Sequence, residues 1–423
     1  MIGKGSTNIV LSYENIRQLC TLFIEKENLS GKRIIAVIPD NTRTAPIDLI
    51  FKILYEELLP GGGTLDFLIA LGTHPPMTDE AIDKRLGLKP GERKSRYSET
   101  RIFNHAWKDK NQLQSIGVIS ASRIQEISRG MMNESVNVTI NKLIFDYDII
   151  LIIGPTFPHE VVGFSGGNKY LFPGISGQEI IDMFHWLGAL ITNPRIIGKK
   201  WTPVREVVDT AASLVPIKRL CMSLVVNGND LAGLYCGTPE EAWSAAADLS
   251  NQIHIIYINH PFTRVLSCAP TMYDELWTGG KCAYKLEPVV ADGGDLIIYA
   301  PHIQEISFTH GSIIESIGYH VRDYFVKQMN IFQNIPKGVM AHSTHVKGIG
   351  SYEDRIEKPR INVILATGIS QHICQRINLG YQDPLKINPE EWKDQEEKGV
   401  LYVPKAGEIL YRLKNDPFIE KSD

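Results

Sequence analysis

Arg33-Ile-Ile-Ala-Val-Ile-Pro-Asp-Asn-Thr-Arg-Thr44, followed by Pro46 to Leu58, decides the fold class of this 423-residue chain. Arg33 to Ile38 is short, β-branched and almost uniformly apolar, the pattern of a strand buried on both faces. It stops at Pro39 and Asp40. Beyond the loop Asn41 to Thr44, the residues Ile47, Ile50, Phe51 and Leu54 recur at three- and four-residue steps and form one helical stripe. Pro46 suits the first turn of that helix, where its missing N–H costs nothing. The same alternation predicts strands at Leu65 to Leu71, Ile149 to Ile153 and Met222 to Val226, and later at Asp295 to Ala300 and Ile361 to Ala366. Strands separated by helices predict an α/β fold with mostly parallel sheets covered on both faces. The length predicts two α/β domains, residues 1–260 and 261–398, with the tail 399–423 packing back on the first.

The bulk numbers narrow the class of partner. The chain is 43% hydrophobic and 22% charged, with a net charge of -4. That balance excludes a general nucleic-acid binder, which needs a basic surface to meet phosphates. Its longest apolar runs are strand-sized, so no membrane partner is expected. Six scattered cysteines without a CxxC pair fit reduced, buried thiols. With no apolar signal core in Met-Ile-Gly-Lys-Gly-Ser-Thr-Asn, the expected compartment is the cytoplasm.

Parallel sheets place ligands in the loops after their strand ends, and three polar segments occupy such positions. In Pro39-Asp-Asn-Thr-Arg43, Arg43 can grip a carboxylate or phosphate, or serve as a salt-bridge partner. In Ala70-Leu-Gly-Thr-His-Pro-Pro-Met-Thr78, His74 can act as an acid/base or merely bond backbone. Thr78, with Asp79 and Glu80, looks like the start of a helix. Pro158-His-Glu-Val-Val-Gly-Phe-Ser-Gly-Gly-Asn-Lys-Tyr-Leu-Phe-Pro-Gly174 is the most specific stretch. Ser165, Gly166 and Gly167 offer unhindered amides for an anion, or a tight structural turn. Lys169 supplies a cation or a nucleophilic amine. Ser176-Gly-Gln-Glu179 reads as a capping box that starts a helix carrying His185, either a metal ligand on a rigid element or a packing residue.

Together these segments resemble the nickel-pincer-dependent lactate racemases. Asp40-Asn-Thr-Arg43 is similar to that family's Asp-x-Thr-Arg loop, and Gly72-Thr-His74 with Pro76-Met-Thr78 to its Gly-Thr-His-x-Pro-Met-Thr run. Pro158-His159, Gly163 to Lys169 and Pro173-Gly174 resemble its longest motif, and His185 follows Lys169 by sixteen residues. The resemblance implies a nickel-pincer nucleotide, a pyridinium mononucleotide that holds nickel through carbon and sulfur, covalently attached at Lys169. Asp40, Thr42, Ser165, Gly166 and Gly167 would contact it. His185 would complete the nickel coordination, an imidazole being well suited to that metal. His74 and His159 would be the two catalytic acid/bases, Arg43 would fix the substrate carboxylate, and Lys281 would be the second-domain lysine that closes on the substrate. The implied architecture is a cofactor-binding first domain with a second domain closing over the substrate in the cleft between them. The implied partners are a small 2-hydroxy acid and the enzymes that mature the cofactor. The oligomeric state is not encoded in any motif.

The chain departs from the family pattern where substrate is chosen. Thr278 stands where the family has Gln, and bulky Trp277 precedes it. His302, Gln304, Glu305 and His310 make the second-domain strand end more polar than a methyl pocket requires. A site built to bond hydroxyls rejects analogues that lack them. This predicts a polar, hydroxylated acid such as gluconate over lactate, with Trp277, His302 and His310 in substrate contact. The same residues leave two other readings open. His74, His159 and His185 could form a three-histidine zinc hydrolase. Alternatively, Arg43, Lys169 and Lys281 could bind anions in a non-catalytic sugar-acid or nucleotide sensor.

Overall fold

The computed structural model describes residues 1–418 and divides them into two compact units. The first comprises 1–157, 164–181 and 205–253; the second comprises 158–163, 182–204 and the chain from 254 onward. The division is therefore not a single boundary at 260, because the region 158–204 alternates between units.

The first unit is built on a seven-stranded sheet. Its strands are β1 (Ile2–Gly5), β2 (Arg33–Ile38), β3 (Thr64–Ile69), β4 (Ile102–Asn104), β5 (Ile149–Pro155), β6 (Lys218–Asn227) and β7 (Asp230–Gly237). They lie in the order β1-β7-β6-β5-β2-β3-β4. The run from β6 to β4 is parallel, and the edge formed by β7 and β1 is antiparallel. Ile34, Ala36 and Ile38 face one core with Phe51 and Leu54 of helix α1 (Ile47–Leu58), while Ile35 and Val37 are equally buried on the other face. Burial on both sides explains why these strands read as unbroken apolar runs rather than alternating ones. The expected strands and the 46–58 helix are all present, with Pro46 immediately before the helix rather than inside it.

The second unit carries a five-stranded, wholly parallel sheet. Its strands are β8 (Phe262–Cys268), β9 (Val290–Ala300), β10 (Asn362–Thr367), β11 (Gly380–Tyr381) and β12 (Val400–Val403), in the order β11-β10-β9-β8-β12. The tail was expected to return to the first domain, but its residues join this unit instead. β12 pairs with β8, and Leu410–Leu413 pairs with Ile255–Ile258. The cause is the open backbone edge of β8, whose N–H and C=O groups need partners, combined with the inward-facing Leu401 and Val403. The last five residues of the expected tail, 419–423, lie outside the described residues.

Because β5, β2 and β3 are adjacent and parallel, the loops after Pro155, Ile38 and Ile69 leave the same sheet edge. Gly154, near the end of β5, is where the sheet yields to the loop. A Cβ placed there would sit 2.2 Å from the Tyr170 ring. Gly154→Ala is therefore expected to cost about 1–3 kcal/mol by overpacking, read as a lower urea midpoint. An unchanged midpoint would show that Tyr170 does not need this space.

Candidate active site

In the first unit the three strand-end loops converge on a buried carboxylate. Asp40 is 5% exposed, and its Oδ2 lies 2.5 Å from His74 Nδ1. Its Oδ1 accepts from the Thr42 hydroxyl at 2.7 Å and the Thr42 N–H at 3.0 Å. Burial alone would raise this carboxyl. The His74 ring, the hydrogen bonds and the Arg43 charge outweigh burial and hold it well below the usual carboxylate range. Its contribution to stability is complete above about pH 4, the ordinary carboxyl value, and falls away as pH drops toward the depressed folded value. The consequence for His74 is chemical: with Nδ1–H donated to Asp40, Nε2 carries the lone pair and can accept a proton.

Arg43 and Arg85 both act electrostatically on Asp40 and on the Tyr170 phenol. Arg85 gives one N–H to the Ala45 carbonyl, and its Nε and Nη2 are buried without a hydrogen-bond partner. The His74 loop is tied to the long motif, since the Gly72 N–H donates to the Gly174 carbonyl at 2.9 Å. Thr78 caps the following helix Asp79–Arg85 by accepting from the Ala81 N–H, as its sequence predicts.

The Ser165–Lys169 segment is a tight turn held from behind. Arg205, 1% exposed, donates to the carbonyls of Phe164 at 2.6 Å and Gly166 at 3.3 Å. Trp243 donates its indole N–H to the Ser165 carbonyl at 2.8 Å, and the Arg205 guanidinium lies 4.0 Å from the Trp243 ring centre. Burial pulls the guanidinium down to about 10, opposed by the nearby acids Asp209 and Glu240, so it stays charged at neutral pH. Asn168 is fixed by Asp209, Glu240 and Arg219. Gly166 and Gly167 have φ of 89° and 58°. A Cβ on either would crowd Thr156 or Trp243, at 2.5 and 2.9 Å. The glycines are thus needed for the turn and its packing. The Ser165 hydroxyl is committed to backbone, accepting from Phe157 N–H and donating to the Pro155 carbonyl. Lys169, half-buried, rides on the short helical turn Gly167–Tyr170 that this clamp supports.

The second unit gathers another set. His159 is buried, and its Nδ1 lies 3.2 Å from the Val161 backbone nitrogen. Its Nδ1 also faces the Glu160 carboxylate at 3.3 Å. His185 lies on α2 (Gln178–Ile191), the helix that the sequence places there. The expected capping side chains go elsewhere: Ser176 donates to the Pro173 carbonyl, and Glu179 accepts from the Asn137 N–H. Lys281 is buried with Nζ 4.5 Å from the Tyr273 ring centre, a cation–π distance. Trp277 stacks on His342 at 3.9 Å and lies 4.6 Å from His310. Thr278 donates its hydroxyl to the Glu275 carbonyl. His310 is buried, whereas His302 is exposed and bonded to the Tyr273 carbonyl at 3.0 Å.

His342 lies on α3 (Lys337–Lys347) and is buried. Burial pushes its imidazole well below the ordinary value, helped by the neighbouring His345, His310 and His185. The available signal was His342 and His345 three residues apart in a segment of helical pattern. Arg85, Arg205 and Trp243 were missed altogether, having no motif of their own. Among the described residues, no group of three or more His, Cys, Asp or Glu is arranged to hold a metal ion.

Comparison with known proteins matches residues 23–196 to the lactate racemase N-terminal domain. The lactate racemase of Thermoanaerobacterium thermosaccharolyticum is 23% identical over 276 residues, 64% of this chain and 60% of that relative. The lactate racemase of Lactiplantibacillus plantarum is 27% identical over 173 residues, 40% of this chain and 36% of that relative. Over nearly its whole length the chain is also 33% identical to a structurally solved Thermotoga maritima protein, with a TM-score of 0.89, covering 97% of this chain and 100% of the other. This chain therefore carries a lactate racemase N-terminal domain. The T. thermosaccharolyticum lactate racemase apoprotein shares this fold at 18% identity, with a TM-score of 0.70 over 97% and 94% of the two chains. The sequence matches span less than two thirds of either curated relative. The family match supports a cofactor of the nickel-pincer nucleotide type in general.

The Asp40–His74 pair is the feature of this site most open to a direct test. Asp40→Asn keeps the shape but no longer fixes the proton on His74 Nδ1. Turnover of a 2-hydroxy acid should fall on the order of 10²- to 10⁴-fold under conditions where the variant is folded, with a lower denaturation midpoint at neutral pH from the lost carboxylate. Unchanged kcat would mean that His74 is not a catalytic base.

Proposed function

We propose that this protein is an isomerase that inverts C2 of a 2-hydroxy acid, with a nickel-pincer nucleotide tethered at Lys169. The observation that carries the reading is the His74 imidazole, set as a base by buried Asp40 and anchored through Gly72–Gly174 to the motif bearing Lys169. The residues fit the cofactor by their chemistry. Lys169 offers an amine on a clamped turn, and His185 offers one imidazole on a helix. A pincer that brings its own carbon and sulfur donors would ask for one protein ligand, and His185 would supply it. When bound, such a cofactor supplies an electron-poor pyridinium that can take the C2 hydrogen as hydride.

The chain's own residues then have distinct tasks. Arg43 pairs with the substrate carboxylate, and Lys281 adds a second cation on the substrate. His74 Nε2 accepts the hydroxyl proton of one enantiomer as the C2 hydrogen leaves, giving a planar 2-keto acid. His159, as the imidazolium, returns a proton to the substrate oxygen on the opposite face and is left neutral, so one imidazole gains the proton that the other gives up. Each imidazole has a carboxylate at Nδ1, Asp40 for His74 and Glu160 for His159, which supports the imidazolium that either ring forms in turn. In the reverse direction they exchange roles.

The preferred substrate is a polar, hydroxylated acid such as gluconate. Buried His310 against Trp277 supports this reading, because a polar ring in that position favours a substrate able to bond it. His302, exposed and tied to backbone, has the weaker case. Chiral chromatography of D-gluconate and L-lactate incubated with cofactor-loaded enzyme tests the preference. His310→Ala is expected to reduce kcat/KM for gluconate by about 10-fold or more relative to lactate, the worth of one lost polar contact. Equal losses on both acids would remove the polar-substrate reading while leaving the isomerase reading in place.

A further inference from the structure

The second unit contains a cavity of about 230 Å³ lined by none of the residues given a role above. Two of its wall groups, Asn193 Oδ1 and His345 Nε2, are buried with no hydrogen-bond partner. The residues are only 2% and 4% exposed. Asn193 is not free to turn, because its amide N–H groups donate to the Tyr284 carbonyl at 2.9 Å and to Glu287 Oε2 at 2.8 Å. Its Oδ1 is thereby presented as an acceptor. Glu287, 1% exposed, takes its second hydrogen bond from the Ile349 N–H at 2.7 Å and keeps unused acceptor capacity. Burial lowers the His345 imidazole to about 3, so the ring is neutral at physiological pH and Nε2 can donate or accept.

Leaving a buried polar atom unmatched costs about 1–3 kcal/mol, and two in one wall are not an ordinary feature of a folded interior. The same wall holds Thr192 at φ 85°, a conformation that L side chains rarely adopt. Positive charge completes the lining. Arg195 is exposed, and half-buried Arg322 gives N–H groups to the Leu190 carbonyl and Asp323. The buried wall therefore accepts hydrogen bonds, while on the solvent side Arg195 adds positive charge beside the Arg322–Asp323 ion pair.

We propose that this cavity is a binding site for a small polyhydroxylated carboxylic acid. Its hydroxyls donate to Asn193 Oδ1 and Glu287 and bond His345 Nε2, and its carboxylate meets Arg195 and Arg322. A plain polyol lacks the anionic end, and lactate lacks the hydroxylated tail, so neither satisfies both walls. The site is separate from the catalytic residues and does not depend on the reaction assigned to them.

Isothermal titration of the full chain carrying Arg43→Gln, which weakens carboxylate binding at the catalytic site, provides the test. D-gluconate, D-glucitol and L-lactate are the probes. One gluconate site is expected, with the other two probes bound at least about 10-fold more weakly. Adding Arg195→Gln on the exposed side should weaken gluconate by a similar factor, and His345→Phe should abolish it by filling the cavity. If His345→Phe does not fold, the Arg195→Gln comparison and a gluconate-soaked crystal still decide. Gluconate affinity unaffected by Arg195→Gln, or only ordered water in the cavity of the soaked crystal, would overturn the proposal. Neither result bears on the catalytic reading, which is measured by turnover.

Discussion

A carboxylate with almost no exposure to water must be matched by charge and hydrogen bonds, and Asp40 is the point on which the first unit's chemistry turns. It sits just beyond a central parallel strand, where neighbouring loops can reach it. His74 comes from the next strand's loop, and Thr42 and Arg43 come from its own. The match serves structure and chemistry together. The contact that makes the burial tolerable also fixes which nitrogen of His74 carries the proton.

The Lys169 turn follows the same logic with different atoms. A segment containing two left-handed glycines would lose much conformational freedom if it stood alone. Here its carbonyls are bonded by Arg205 and Trp243 and its Asn168 side chain by three charged residues, so the turn is held before any ligand arrives. Pre-organisation of this kind places the Lys169 amine on a supported turn rather than on a mobile loop.

Much of this was legible because the informative signals were local. Continuous apolar runs located β2 and β5, the Thr78 cap located its helix, and the strand-end rule located Asp40 and His74. What sequence could not show was long-range pairing. The bond from Asp40 to His74, thirty-four residues away, has no local signal in the sequence. Ser165 reads as part of an anion-binding run of amides or of a tight turn, and neither reading shows that its hydroxyl bonds the backbone of Phe157 and Pro155. Arg205 and Trp243 lie far along the chain from the turn they hold, and nothing in their local sequence marks that task. The tail's strand was misassigned for the same reason: which sheet edge it would complete is a tertiary fact.

The measurement that bears most directly on the central claim is intact-mass spectrometry with peptide mapping at Lys169. The protein should be produced alongside the enzymes that mature the nickel-pincer nucleotide. The account predicts a nickel-containing covalent adduct on Lys169 and on no other lysine. An unmodified Lys169 despite confirmed cofactor supply would contradict it, and the convergence of His74 and the Lys169 turn would then need a different chemistry.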